Sequence, residues 1–174
     1  MAQEAAPGSQ VVYVDHDPVV LAHARALLTG GPAGAVDYVD ADLRDTATIL
    51  ARAAATLDFS RPVAVLLLLI LHAIGDADDP YQIVARLMAA VPAGSYLAIS
   101  HAASDIKPER MAELAERVNQ VSYQQLTSRG RAEVERFFAG LELVEPGVVQ
   151  VQQWRPGIMS PGAMPVWAGV ARKR

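Results

Sequence analysis

The feature that most constrains this 174-residue chain is an uninterrupted apolar run at residues 63–71, which reads VAVLLLLIL. It follows Arg61-Pro62 and ends at His72, and it is far shorter than the ~20 residues needed to cross a bilayer. Taken alone the leucines would also suit a helix, but the position between a proline and a polar loop favours a strand. Because polar and apolar residues do not alternate, the run predicts a strand that is buried on both faces, as in a parallel sheet.

Short apolar runs of this kind alternate with helical patterns along the rest of the chain. The predicted strands are 11–14, 36–39, 63–71, 95–100, 142–151 and 165–171. No helical pattern separates the last two, so we expect them to pair in an antiparallel hairpin. The alternation predicts a single α/β domain over residues 1–174, a three-layer sandwich with a mostly parallel sheet.

Composition narrows the possible functions and partners. The chain is 52% hydrophobic, which argues against disorder, and its net charge of −4 argues against a nucleic-acid or anionic membrane surface. It has no cysteine, so disulfides, thiolate metal sites and cysteine nucleophiles are excluded. The N-terminal sequence MAQEAAPGSQ has neither the basic nor the apolar region of a signal peptide, and we expect a cytoplasmic protein.

Two acidic residues follow predicted strands, where ligands of doubly wound sheets bind. Asp15 would accept two hydrogen bonds from a ribose diol, or else bind local backbone in a turn. Asp42 would accept from an adenine amino group while the Leu43 N–H donates to a ring nitrogen, or else it is a loop acid. Asp17 directly precedes Pro18 and is predicted to cap a helix.

Histidines follow two other predicted strands. His72 and His101 are the candidate catalytic bases or substrate-positioning groups, although an isolated histidine at a strand end is more often structural. His16 and His23 are seven residues apart and no third ligand accompanies them, so no metal site is predicted.

The stretch VVYVDHDPVVLAHARALL also looks like the opening of a response-regulator receiver domain. A receiver needs a phospho-acceptor aspartate at the end of its third strand. Here that strand ends in Leu71-His72, and Lys107 is not at a strand end. A receiver-like signalling domain therefore remains only a remote alternative.

A resemblance that covers nearly the whole chain is to the S-adenosyl methyltransferase family, once catalogued as a domain of unknown function. It is carried by the segments VVYVDHDPVVLAHARALL, DADLRD, RPVAVLLLLILH, DDP, GSYLAISHA, RAEVERFFAGLELVEPGVV, QWRP and PVWAGVARK. It implies a Rossmann-like class I fold, S-adenosylmethionine as cofactor and a small-molecule methyl acceptor. The residues it assigns to the cofactor are Asp15 and His16 at the ribose, Asp42 and Leu43 at the adenine, and Leu69 on the methionine side.

The family pattern also begins with helices, a first strand and a glycine-rich loop, and no such loop precedes Asp15 in this sequence. By that resemblance the chain is N-terminally truncated and would bind the cofactor weakly or not at all. The strands on either side of the first strand would then have unpaired edges, through which the chain could form an oligomer. A non-enzymatic remnant or binding module is the alternative, and the reading frame upstream of Met1 would distinguish the two.

Overall fold

The computed structural model describes residues 6, 8–27, 35–121, 125–154 and 164–174. Residues 1–60 and 61–174 form two compact units. Both contain parallel strand pairs with helices between the strands, which confirms the predicted α/β class. That the whole chain is a single domain stays a prediction.

The first unit is built around a pair of parallel strands. Strand β1 spans Val11–Asp15 and pairs with β2, Val36–Asp40, so that Asp15 lies opposite Asp40 at the carboxyl edge. Helices α1, Pro18–Leu27, and α2, Thr46–Ala53, follow the two strands. The parallel arrangement brings the residues after β1 and those after β2 to the same edge, which is where the candidate cofactor residues lie.

The second unit contains five strands, in the order β3-β4-β7-β5 with β6 also paired to β7. Strands β3 and β4 are parallel, whereas β7 is antiparallel to β4, β5 and β6. The elements are β3, Ala64–Leu68; α3, Pro80–Ala89; β4, Tyr96–Ala102; α4, Pro108–Val121; α5, Arg131–Arg136; β5, Glu142–Leu143; β6, Val149–Gln150; and β7, Val166–Arg172.

One face of this sheet is closely packed. Leu97 and Ile99 of β4 are fully buried there, and Gly169 of β7 lies opposite Ile99. A Cβ atom on Gly169 would lie only 2.9 Å from Val148 Cγ2 and 3.1 Å from the Phe138 ring. Glycine at this position therefore lets the chain segments after α5 approach the sheet closely.

The apolar run forms a shorter strand than expected, and the prediction that it is buried on both faces is wrong. Only Ala64–Leu68 is strand, and a 3₁₀ turn begins at Leu71. Leu66 is 63% exposed and Leu68 is 58% exposed. Ala64, Leu66 and Leu68 alternate onto one face of β3, which the described residues leave exposed, whereas Leu67 on the other face is buried.

The strand predicted at 142–151 is divided into β5 and β6. Between them lie Pro146, which has no N–H to donate, and Gly147 with a φ of 82°. Both pieces pair antiparallel with β7, so the predicted pairing is confirmed. No helix within the described residues is both long enough and apolar enough to cross a membrane.

Candidate functional site

Asp15 closes β1 in the first unit and is half-buried. Its Oδ1 accepts a hydrogen bond from the Asp17 N–H at 2.9 Å. Among the described residues no group donates to its Oδ2. One carboxylate oxygen therefore organises the turn after β1, and the other is free to accept from a ligand.

Asp17 uses its side chain differently. Its Oδ1 accepts from the Val19 N–H at 2.8 Å and from the Val20 N–H at 3.4 Å, at the start of α1. These N–H groups have no acceptor within the helix, so the carboxylate satisfies them. The predicted role of Asp17 as a helix cap is confirmed.

Asp42 lies in the turn after β2, where Arg44 holds its carboxylate. The Arg44 N–H donates to Oδ1 at 2.8 Å, and Arg44 Nη1 lies 3.1 Å from Oδ1 and 3.0 Å from Oδ2. Partial burial raises the pKa of Asp42, but the Arg44 hydrogen bonds, its charge and that of His16 outweigh burial and lower the pKa below its usual value. Asp42 is thus an anion with acceptor capacity left on Oδ2.

Leu43, half-buried beside Asp42, offers its backbone. Within the described residues its N–H has no hydrogen-bond partner. A free N–H next to a carboxylate presents one donor and one acceptor side by side. The edge of an adenine ring, with its amino group and adjacent ring nitrogen, has the complementary pattern. The Asp15 oxygen that has no donor among the described residues belongs to the same carboxyl edge of β1 and β2.

In the second unit His101 is fully buried on β4. Its Nδ1 lies 2.9 Å from the Ala102 carbonyl oxygen, and its Nε2 lies 3.0 Å from Arg129 Nη1. Arginine can only donate, so Nε2 must accept and the proton is carried by Nδ1. Burial, together with the positive charge of Arg129, lowers the pKa of His101 to about 4, and the imidazole is neutral near pH 7.

Arg129 was not identified from the sequence. The residue is 1% exposed, and its side chain donates to the carbonyls of Leu71 at 3.1 Å and Ile74 at 3.0 Å, and to Asp76 Oδ1 at 2.6 Å. The sequence SRGRAE at residues 128–133 does not indicate that this arginine is buried, because an arginine before a helix is usually solvated. Here it fixes the turn that follows β3.

His72 lies in that turn and is half-buried. Its carbonyl accepts from the Thr127 N–H at 2.7 Å, and its ring meets that of His101 edge-on at 6.2 Å. Burial, assisted by the charge of Arg129, lowers the pKa of His72. The structure therefore brings together the two histidines that the sequence singled out.

Leu69 precedes His72 and adopts a left-handed backbone conformation, with a φ of 50°. Its N–H donates to both the carbonyl and the hydroxyl oxygen of Ser100 at 3.0 Å. The side chain is 50% exposed. The carboxyl end of β3 thus presents an apolar surface beside the histidines.

The comparisons with known proteins agree with this architecture. The family described as S-adenosyl methyltransferase matches residues 1–174. A DUF574 family protein from Streptomyces avermitilis is 41% identical, with a TM-score of 0.94, over 99% of this chain and 68% of that one. A Thermobifida fusca protein, assigned provisionally as a methyltransferase, is 36% identical with a TM-score of 0.85, over 99% of this chain and 66% of that one.

A more distant similarity shows the fold alone. A SAM-dependent methyltransferase from Methanosarcina mazei is 10% identical with a TM-score of 0.66, over 99% of this chain and 86% of that one. No curated protein matches the chain. The chain spans about two thirds of the length of the Streptomyces and Thermobifida proteins. From the family match over its full length, the chain belongs to the S-adenosyl methyltransferase family.

Proposed function

We propose that this chain acts in the transfer of a methyl group from S-adenosylmethionine to a small-molecule acceptor. The observation that carries the proposal is the set of groups at the carboxyl edge of β1 and β2 that have no hydrogen-bond partner among the described residues. These are one carboxylate oxygen of Asp15, after β1, and the N–H of Leu43, after β2. The carboxylate of Asp42 directly precedes Leu43 in the same turn. When bound, the cofactor supplies an electrophilic methyl group on a sulfonium sulfur.

Asp15 is proposed to accept hydrogen bonds from the ribose hydroxyls. An ionised carboxylate has two acceptor oxygens, and Asp15 uses only Oδ1 within the described residues. His16 is exposed directly after it and would border the same hydroxyls. Asp42 and Leu43 would bind the adenine through one accepted and one donated hydrogen bond.

The second unit is proposed to bind the methyl acceptor and to accept its proton. His72 keeps one ring nitrogen without a partner among the described residues and is neutral by its lowered pKa, which suits a proton acceptor. His101 has both ring nitrogens engaged and would position the neighbouring groups rather than take a proton. Leu69 would contribute an apolar surface on the methionine side of the cofactor. The net charge of −4 supports a small molecule over nucleic acid as acceptor.

The experiment that tests the cofactor site compares adenosine with 2′-deoxyadenosine, followed by the backbone amide shifts of the ¹⁵N-labelled chain. Adenosine is expected to shift the Leu43 amide and the residues around Asp15. The deoxy compound lacks one hydroxyl donor to the carboxylate and should bind at least about tenfold more weakly, since hydrogen bonds to charged groups contribute about 1.5–3 kcal/mol. Equal affinity for the two nucleosides, or shifts confined to other residues, would contradict the assignment.

A further inference from the structure

Arg44 holds the carboxylate of Asp42 in the turn after β2, and that carboxylate still reaches solvent. The Arg44 N–H donates to Asp42 Oδ1 at 2.8 Å, and Arg44 Nη1 lies 3.1 Å from Oδ1 and 3.0 Å from Oδ2. The Asp42 side chain remains 40% exposed. A backbone donor and a guanidinium therefore orient both oxygens of a carboxylate that a ligand can reach.

The backbone on either side of this pair is hydrogen-bonded as well. The Ala41 N–H donates to the Asp15 carbonyl at 3.1 Å, which joins the turn to the end of β1. The Asp45 N–H donates to the Asp42 carbonyl at 2.9 Å, and the Asp45 side chain caps α2. Arg44 therefore lies in a turn that is connected to both neighbouring elements, and it holds Asp42 from a defined position.

These hydrogen bonds leave a defined acceptor on Asp42. An ionised carboxylate has about four lone-pair positions, two on each oxygen. Oδ1 accepts twice from Arg44 and Oδ2 accepts once, so among the described residues one position on Oδ2 remains. Burial raises the pKa of Asp42, but the hydrogen bonds and charge of Arg44, with the charge of His16, lower it overall. Asp42 is therefore an anion that attracts an N–H group and repels a carbonyl oxygen.

We propose that Arg44 is a positioning residue that makes the base site selective for adenine over hypoxanthine. Hypoxanthine carries a carbonyl where adenine has its amino group, and its adjacent ring nitrogen donates where that of adenine accepts. The oriented carboxylate of Asp42 and the N–H of Leu43, which has no partner among the described residues, match the adenine pattern only. Arg44 acts through Asp42 and does not itself contact the base. The inference rests on the proposed function in one respect, that Asp42 and Leu43 bind the base.

Adenosine and inosine are the probes that test this selectivity, because they share the ribose and differ only in the base pattern. Each is titrated into the ¹⁵N-labelled chain without cofactor, and the Leu43 amide is followed, since amide shifts also register weak binding. The parent should bind adenosine at least about tenfold more tightly than inosine, because inosine loses a hydrogen bond to a charged group. Arg44→Met should lower this preference at least about threefold, through weaker adenosine binding.

Two further variants separate positioning from other effects. Arg52→Met removes the same charge from an exposed residue of α2 in the same unit, and it should leave the preference unchanged. In an Asp42→Ala background, adding Arg44→Met should change the affinity for neither nucleoside, because Arg44 acts only through Asp42.

Each other outcome overturns the proposal. If the parent prefers adenosine and Arg44→Met keeps that preference, the cofactor site stands and Arg44 has no part in it. An equal loss in Arg52→Met would make net charge the cause, and a further loss in the Asp42→Ala background would mean that Arg44 contacts the base itself. A parent chain that shows no preference, or no response at Leu43, would refute the proposed base site and this inference together.

Discussion

Arg129 Nη1 lies 3.0 Å from His101 Nε2, and both side chains are buried in the second unit. The contact determines which nitrogen of His101 carries the proton, because the guanidinium can only donate. The same guanidinium binds the Leu71 and Ile74 carbonyls, so the buried pair connects β4 to the turn that carries His72.

Replacing Arg129 is expected to destabilise the second unit strongly. Arg129→Met would leave the Leu71 and Ile74 carbonyls and His101 Nε2 without their donor, and each buried unsatisfied group costs about 1–3 kcal/mol. We expect the free energy of unfolding to fall by about 3–5 kcal/mol in urea denaturation. The control is Arg131→Met, whose side chain is 53% exposed and should cost less than about 1 kcal/mol. Similar costs for the two variants would refute this role for Arg129.

The low pKa of His101 predicts a loss of stability in acid. The folded-state pKa of about 4 lies below the ordinary value of 6.5, so the unfolded chain binds the proton more tightly. The stabilisation is fully present above pH 6.5 and is lost as the pH falls toward 4. At one pKa unit per 1.36 kcal/mol, the total is on the order of 3 kcal/mol.

The control for this pH dependence is His101→Gln, which keeps an acceptor for Arg129 but does not titrate. Unfolding of the parent and the variant is measured from pH 7.5 to pH 4.5. The variant should lose less stability over this range, although His72, whose pKa is also lowered, will leave it some dependence. Identical slopes for the two proteins, or an NMR titration of His101 centred near 6.5, would disprove the assignment.

Gly169 is expected to tolerate no side chain. The Cβ of Gly169→Ala would lie 2.9 Å from Val148 Cγ2, and overpacking of a closely packed core typically costs about 1–3 kcal/mol. The matched control is Gly75→Ala, because a Cβ there meets nothing within 4 Å. Thermal unfolding of both variants is the measurement. The double variant Gly169→Ala, Val148→Ala should lose less stability than the two single variants lose together. If its loss equals or exceeds that sum, close contact with Val148 is not the cause.

Much of the fold could be predicted from the sequence because the signals are local. Strands β1, β3, β4 and β7 overlap mainly apolar runs, and Asp17 and Asp45 cap helices whose N–H groups are two or three residues away. The carboxylates at strand ends were identified in the same way. What these residues bind stays a prediction.

The remaining features depend on contacts that are distant in the chain. Arg129 binds carbonyls that are 58 and 55 residues away, and no spacing rule indicates such a pair. The exposure of Leu66 depends on which elements cover β3, and the leucine run itself carries no such information. Pro146 and Gly147 do indicate a break within 142–151. The prediction of one continuous strand follows the apolar residues on either side of them instead.

The most direct test of the cofactor site uses the chain extended at its N-terminus by the glycine-rich loop of a family member. S-adenosylmethionine is titrated into this parent and into its Asp15→Ala and Asp17→Ala variants, following the Leu43 amide, and all three proteins are melted. Asp15→Ala should weaken binding by roughly 2–4 kcal/mol, or about 30- to 1,000-fold, because the ribose hydroxyls lose a charged acceptor. Asp17→Ala should bind like the parent and lose about 1 kcal/mol of stability, because it removes only the cap of α1. Parent-like binding by Asp15→Ala, together with weakened binding by Asp17→Ala, would contradict the assignment of these two acids.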